Sequence, residues 1–152
     1  MAPFPNDILD ILNSHLSGYD QRLGLRFVEA TPDAITAELT IDERHRQPYG
    51  IVHGGVYASL VETTCSTAAA VQVFEQGKGA VGLENNTSFL HSVQSGSLRC
   101  RAVALAMGRR SHVWEAQIHD DRGRLVAKGT LRVLIVDIPG PMRPTEPMDE
   151  TD

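Results

Sequence analysis

The chain has 152 residues, enough for one ordinary domain, since about 150 residues bury roughly 70% of the surface their unfolded chain exposes. Its formal net charge of -5 gives no general reason to expect nucleic acid, although only Lys78 and Lys128 among its 14 basic residues are lysines, and the arginine fork suits phosphate and carboxylate. No window approaches the about 20 apolar residues that span a bilayer, Met1 to Leu16 lacks the basic start and unbroken apolar centre of a signal peptide, and Cys65 and Cys100 read as small buried thiols, so a soluble, cytoplasmic chain with no membrane partner is expected.

Asn6 or Asp7 can cap a short helix whose stripe is Ile8, Leu9, Ile11, Leu12 and Leu16, with Gly18 as its stop; residues 1–22 then form a helical extension. Leu23 to Ala30 and Ala34 to Ile41 are strand candidates about a Thr31-Pro32-Asp33 turn. The second alternates Ile35, Ala37, Leu39 and Ile41 with polar residues. Asp42 to Gly50 is polar, carries Pro48 and Gly50, and reads as a loop.

From Gly54 to Val73 the residues are small or apolar on nearly every side at the helical period, as in a buried helix. Glu62 is the only acidic or basic residue there, and a carboxylate without a charged neighbour is costly to bury. Four strand candidates follow with no helix between them: Ala80 to Leu90, Ser97 to Met107, Ser111 to His119 and Leu125 to Val136. Their joints, at Ser95-Gly96, Gly108 to Arg110 and Asp120 to Gly123, suit antiparallel hairpins. A helix apolar all round needs a sheet large enough to curl about it, and roughly six antiparallel strands would do this. The domain is expected over residues 23–137, with residues 138–152, rich in proline and acidic at the end, as a disordered tail.

The runs QPYGIVHGGVYASLVETTCSTAA, VGLENNTSFLHSVQSGSL and GRRSHVWEAQIHDDRGRLVAKG resemble the hotdog-fold acyl-CoA thioesterases of the phenylacetate-pathway and 4-hydroxybenzoyl-CoA type. The similarity covers about Leu23 to Val136. Its specific part is His-Gly-Gly with an acid eight residues after the first Gly and a Gln-Pro-x-Gly before it. The resemblance implies an α+β hotdog fold, a curved antiparallel sheet wrapped around a long central helix, working as a dimer or a dimer of dimers. It implies a small-molecule acyl-CoA substrate and no further cofactor, with an acyl carrier protein as the other possible thioester carrier.

Thioester hydrolysis needs a group that attacks the carbonyl or activates water, and donors for the oxygen that becomes negative. Glu62 can supply the first, and the Gly54 and Gly55 N–H groups at the helix start can supply the second. The resemblance makes Glu62 the nucleophile or general base and Gly54 the polarising glycine. It adds His53 and Gln47 as a flanking polar pair and Ser66, one turn after Glu62, as a group that helps position water. Arg109, Arg110 and Ser111 offer two guanidinium groups and a hydroxyl for coenzyme A phosphates. Tyr57, Phe89 and Leu90 could line an acyl pocket; some relatives place a His in the segment that is Ser88 to Leu90 here. Gly54 and Glu62 lie eight residues apart on one helix, about 12 Å of rise, too far to share one carbonyl. Two antiparallel helices related by a two-fold axis would pair each Gly54 with the partner's Glu62.

Simpler readings exist for each residue. An average Glu faces solvent, His53 could be a helix cap, Ser66 a packing residue and Arg109 with Arg110 a solvated turn. His45, His91, His112 and His119 show no metal-ligand spacing. Two other functions compete: a noncatalytic acyl-CoA-binding dimer, and an enoyl-CoA hydratase or dehydratase. The latter pairs an acid with a nearby His in a different motif, whereas Glu62 and His53 are nine apart.

Overall fold

Two helices precede the first strand where the sequence suggested one. In the computed structural model, which describes residues 4–138, α1 spans Ile8–Ser14 and α2 spans Gly18–Leu23. Gly18, at φ +54°, opens the second helix, which ends on Gly24 at φ +79°, a left-handed cap that glycine adopts without a Cβ penalty. Leu23, expected to start a strand, is thus the last residue of α2 and is buried. Asp7 holds the cap position of α1 but makes no side-chain cap bond.

The strands are β1 (Leu25–Thr31), β2 (Ala34–Thr40), β3 (Lys78–Phe89), β4 (Ser97–Met107), β5 (Ser111–Asp120) and β6 (Leu125–Asp137), and the long helix α3 spans Gly54–Val73 between β2 and β3. All pairings are antiparallel in the order β1-β2-β4-β5-β6-β3. The sheet wraps α3, which touches every strand from β2 to β6. This is the hotdog arrangement. The tail expected over residues 138–152 begins on Ile138, whose N–H donates to Gly77 C=O at 3.1 Å, and the rest of it, residues 139–152, lies outside the described ones.

The core lies between the sheet's inner face and α3. Leu60, Val61, Cys65, Ala68 and Ala69 meet Leu98, Cys100, Ala102, Trp114, Ala116, Ile118, Leu131 and Val133, all 1% exposed or less. Small residues on α3 let the sheet approach closely. Cys65 and Cys100 are buried and unpaired, and burial pushes the Cys100 thiol up to about 12, so both are packing groups. The opposite side of α3, with Ser59, Glu62, Thr63, Ser66 and Thr67, is only half-buried. The helix is therefore not apolar all round in its setting; one stripe is left open to the cleft described below.

The two sheet edges differ. At β1 the Asn13 side chain of α1 accepts from Phe27 N–H and donates to Phe27 C=O, both at 2.9 Å, so the edge is occupied. At β3, which pairs only with β6, the outer edge carries no such cover among the described residues, and Val81, Leu83 and Phe89 on this strand, with Leu90 just after it, are exposed.

Candidate functional site at the start and middle of the central helix

The loop before α3 folds back on itself. His45 C=O accepts from His53 N–H at 2.8 Å, Arg46 bridges Val52, and Gln47 N–H donates to Ile51 C=O, which sets Gln47 opposite Ile51 and His53 opposite His45, on either side of the Arg46–Val52 pair. No side-chain hydrogen bond joins those two among the described residues. Asp42 caps the 3-10 turn Glu43–His45, and His45 is buried, its Nδ1 accepting from Asp42 N–H. His45 thus anchors the loop.

His53 is the N-cap of α3, and its Nδ1 accepts from Gly55 N–H at 2.9 Å. That bond engages one of the two backbone donors proposed for the oxyanion. Among the described residues Gly54 N–H takes no partner outside the helix, where the first N–H groups have none inside it either. Beside it lies Phe89: a Cβ on Gly54 would stand 2.7 Å from the ring, so the missing side chain makes room for this chain's own aromatic group. Tyr57 packs beneath Phe89, ring centroids 5.8 Å apart, and is 3% exposed with a hydroxyl that has no partner among the described residues. Tyr57 is therefore core, whereas Phe89 and Leu90 lie at the surface.

Glu62 points toward β3. Its Oε2 accepts from Asn85 Nδ2 at 2.9 Å, and its Oε1 lies against Gly82, where any Cβ would overlap it. Among the described residues Glu62 has no ion-pair partner. A cleft of about 360 Å³ opens on it, walled by Ser59, Thr63, Ser66 and Thr67 of α3 and by Tyr19 and Asp20 of α2. Ser66 is thus brought to Glu62, as its spacing implied. The α2 residues are held in place: Thr63 Oγ1 donates to Asp20 Oδ1 at 2.7 Å, and Ser59, whose proton goes to Gly55 C=O, accepts from Tyr19 Oη at 2.7 Å. Sequence reading missed Asn85, Gly82, Tyr19 and Asp20. Only the run of polar residues in a strand, Glu84 to Ser88, hinted at the first.

Arg109, Arg110 and Ser111 form the exposed turn between β4 and β5, at the far end of α3 from Gly54. Arg109 lines a second cavity of about 280 Å³ with Gln72, Lys78, Met107 and His112; Arg110 and Ser111 do not line it. His112 is buried there with Nδ1 unpartnered among the described residues, and burial lowers its pKa below the ordinary histidine value. One chain therefore separates Gly54, Glu62 and the arginine turn along the helix.

The sequence model of the thioesterase superfamily matches residues 49–127. Thioesterase HI1161 of Haemophilus influenzae superposes with a TM-score of 0.83 at 32% identity, covering 89% of this chain and 94% of its own. The Mycobacterium tuberculosis protein Rv1847/MT1895 does so with a TM-score of 0.77 at 38% identity, over 80% of this chain and 98% of its own. The 1,4-dihydroxy-2-naphthoyl-CoA hydrolase of Escherichia coli is 33% identical over 75% of this chain and 83% of its own length. No helix among the described residues is long and apolar enough to cross a membrane. With the fold, the match over more than half the chain and these likenesses together, the chain belongs to the hotdog thioesterase superfamily and is a thioester hydrolase.

Proposed function

We propose that the protein is an acyl-CoA thioesterase that acts as a symmetric dimer, with Glu62 of one subunit and the Gly54 end of α3 of the other meeting at each thioester. The observation that carries the reading is Glu62 itself: the sole charged side chain of α3, without an ion-pair partner among the described residues, in an open cleft, and facing β3, an edge strand of the sheet. A second copy laid antiparallel along β3 would cover its apolar residues and bring the opposite ends of two α3 helices together.

Glu62 attacks the carbonyl or takes a proton from water, and Gly54 N–H receives the developing oxyanion at the positive end of the helix dipole. Since Gly55 N–H is engaged by His53, the reading rests on Gly54 for this role, with His53 fixing the helix start and Gln47, in the loop that leads into it, orienting the acyl group. Ser66 shares the cleft and is placed to hold water. The Arg109-Arg110-Ser111 turn receives phosphates of the coenzyme. Phe89 and Leu90 border the acyl group, with Tyr57 supporting them from below. The hydroxyl-rich cleft and the hydroxynaphthoyl substrate in the E. coli relative's name favour a polar aromatic acyl group.

The test is thiol release from a panel of aryl and fatty acyl-CoAs and from the same acyl groups on an acyl carrier protein. Release is expected from the CoA series, fastest with hydroxylated aryl groups, and Glu62→Ala should abolish it. Release no faster than in buffer, or full activity in Glu62→Ala, defeats the reading.

A further inference from the structure

The helix-facing row of β3 reads Gly82, Asn85, Thr87 and Phe89, and only Asn85 in this row hydrogen-bonds to the Glu62 carboxylate. We propose that Asn85 is a positioning residue for Glu62, one that clamps a single carboxylate oxygen and leaves the other to react. The proposal rests on the reading of Glu62 as the reacting acid.

Two of its three hydrogen bonds settle which way the Asn85 amide points. Nδ2 donates to Glu62 Oε2 at 2.9 Å and to the Ala58 carbonyl at 3.1 Å, and Oδ1 accepts from the Thr87 hydroxyl at 2.6 Å. Turning the amide over would set Oδ1 against two acceptors that carry no proton, the Glu62 carboxylate and the Ala58 carbonyl, whereas the Thr87 hydroxyl could serve either orientation, so the two acceptors allow one orientation. Ala58 lies one helical turn before Glu62. Asn85 therefore grips both the helix backbone and the side chain that grows from the next turn, which ties the carboxylate to the frame rather than to a mobile neighbour.

The clamp is also neutral. An arginine or lysine at this position would pair with Glu62 and weaken it as a nucleophile or base; an amide donor orders the carboxylate without adding an opposing charge. Because Oε2 is taken, Oε1 beside Gly82 is the oxygen left without a hydrogen-bond donor among the described residues. Holding a reacting group within a fraction of an ångström is worth one to two orders of magnitude in rate, and that is the size of effect expected here.

The experiment measures kcat and KM with the best acyl-CoA of the panel for wild type, Asn85→Ala, Thr87→Val, the Asn85→Ala/Thr87→Val pair and Glu62→Gln with and without Asn85→Ala. Asn85→Ala should lower kcat roughly 10- to 100-fold with KM changed less than about threefold. Thr87→Val should cost less, about 3- to 10-fold, because it frees the amide without removing it. The pair should be no slower than Asn85→Ala alone, and Asn85→Ala should add nothing in the Glu62→Gln chain, since residues acting through one group are not additive. A merely structural Asn85 would instead lower the melting temperature, and its effect would multiply with the others. Should Asn85→Ala fail to fold by circular dichroism, Thr87→Val decides: a lowered kcat at unchanged KM supports the proposal and a wild-type kcat overturns it. Wild-type release abolished by Glu62→Gln but untouched by Asn85→Ala overturns the Asn85 proposal alone, whereas no release from the wild type sinks the thioesterase reading beneath it.

Discussion

Gly82 on β3 and Glu62 on α3 face each other so closely that no side chain fits between them: a methyl group at Gly82 would occupy the space of Glu62 Oε1. The carboxylate is the flexible end of its side chain and can turn away, so the conflict falls on the position of the carboxylate and not on the fold. Gly82→Ala should leave the melting temperature within a few degrees, because alanine in a strand also narrows the unfolded ensemble by about 0.4–1 kcal/mol. It should cut kcat on the order of 10- to 100-fold by displacing Glu62 from Asn85. Thermal melts and steady-state kinetics on the same preparation check both halves.

The N-terminal extension is part of the cleft wall through two bonds, Tyr19 to Ser59 and Thr63 to Asp20. The Tyr19 bond is neutral and near solvent, Tyr19 being 64% exposed, so its loss should cost less than about 1 kcal/mol, while the charge-assisted, half-buried Thr63 bond should cost about 1.5 kcal/mol, together a fraction of an ordinary domain's stability. Tyr19→Phe with Thr63→Val should therefore fold normally yet show faster hydrogen exchange over residues 18–23 and a KM raised several-fold at nearly constant kcat. Unchanged exchange and KM would show that α2 has no part in binding.

Much of this architecture is legible from residue order, and the exceptions have physical causes. Strands β2, β4, β5 and β6 announce themselves because one face is buried and the joints carry Gly, Asp or Ser. The helix α2 escapes notice because a glycine reads as a stop, and six residues offer too short a period to contradict it. Asn85 is hidden for a subtler reason. Strict alternation from Gly82 would turn Glu84 toward the helix, but the strand shifts register between Gly82 and Glu84, so that Arg132 pairs with Glu84 outside and Leu131 with Asn85 inside. The place of β3 beside β6 at the sheet edge likewise depends on long-range pairing that no local pattern reveals.

At the start of α3 the close approach is between Gly54 and Phe89. Gly54→Ala forces the ring aside, and overpacking of this kind costs typically 1–3 kcal/mol, here toward the low end because Phe89 is 55% exposed and can swing outward. Removing the ring should relieve the conflict. Gly54→Ala/Phe89→Ala should thus lose less stability than the two single losses added together, a non-additivity readable in urea melts. Strict additivity would mean that the ring does not press on Gly54.

Buried His112 sets a pH dependence of stability. Its folded pKa lies below the unfolded value of 6.5, chiefly because burial penalises the charged ring. Above 6.5 both states are neutral and nothing is lost. Below it the unfolded chain takes up a proton that the folded chain refuses, so stability falls as pH drops, no more steeply than the about 1.4 kcal/mol per pH unit of one proton. The hydrogen-bonded carboxylates act lower: Asp42, held to about 2 by the Arg44 guanidinium, and Asp120, lowered chiefly by the Arg124 N–H, lose their contribution only below the unfolded value of 3.8. Urea melts between about pH 5 and 7 should show the slope in the wild type and a flatter one in His112→Leu.

Whether the two ends of α3 serve one site together is decided by mixing subunits. Gly54 and Glu62 are separated by about 12 Å along a continuous helix, so one chain cannot bring both to the same carbonyl carbon. Let Gly54→Ala and Glu62→Gln each be nearly inactive as pure proteins. Unfolded, combined in equal amounts and refolded, half of the dimers should carry one chain of each kind. In such a dimer one site joins the intact Glu62 of the first chain to the intact Gly54 of the second, and the other site carries both defects. Activity should therefore return to about one quarter of the wild-type value. Leu83→Arg, which places a charge on the exposed β3 edge, should lower both the mass in solution and the recovered activity. No recovery from mixtures whose mixed dimers are verified by mass would mean that each chain completes its own site, and the antiparallel pairing along β3 would have to be abandoned.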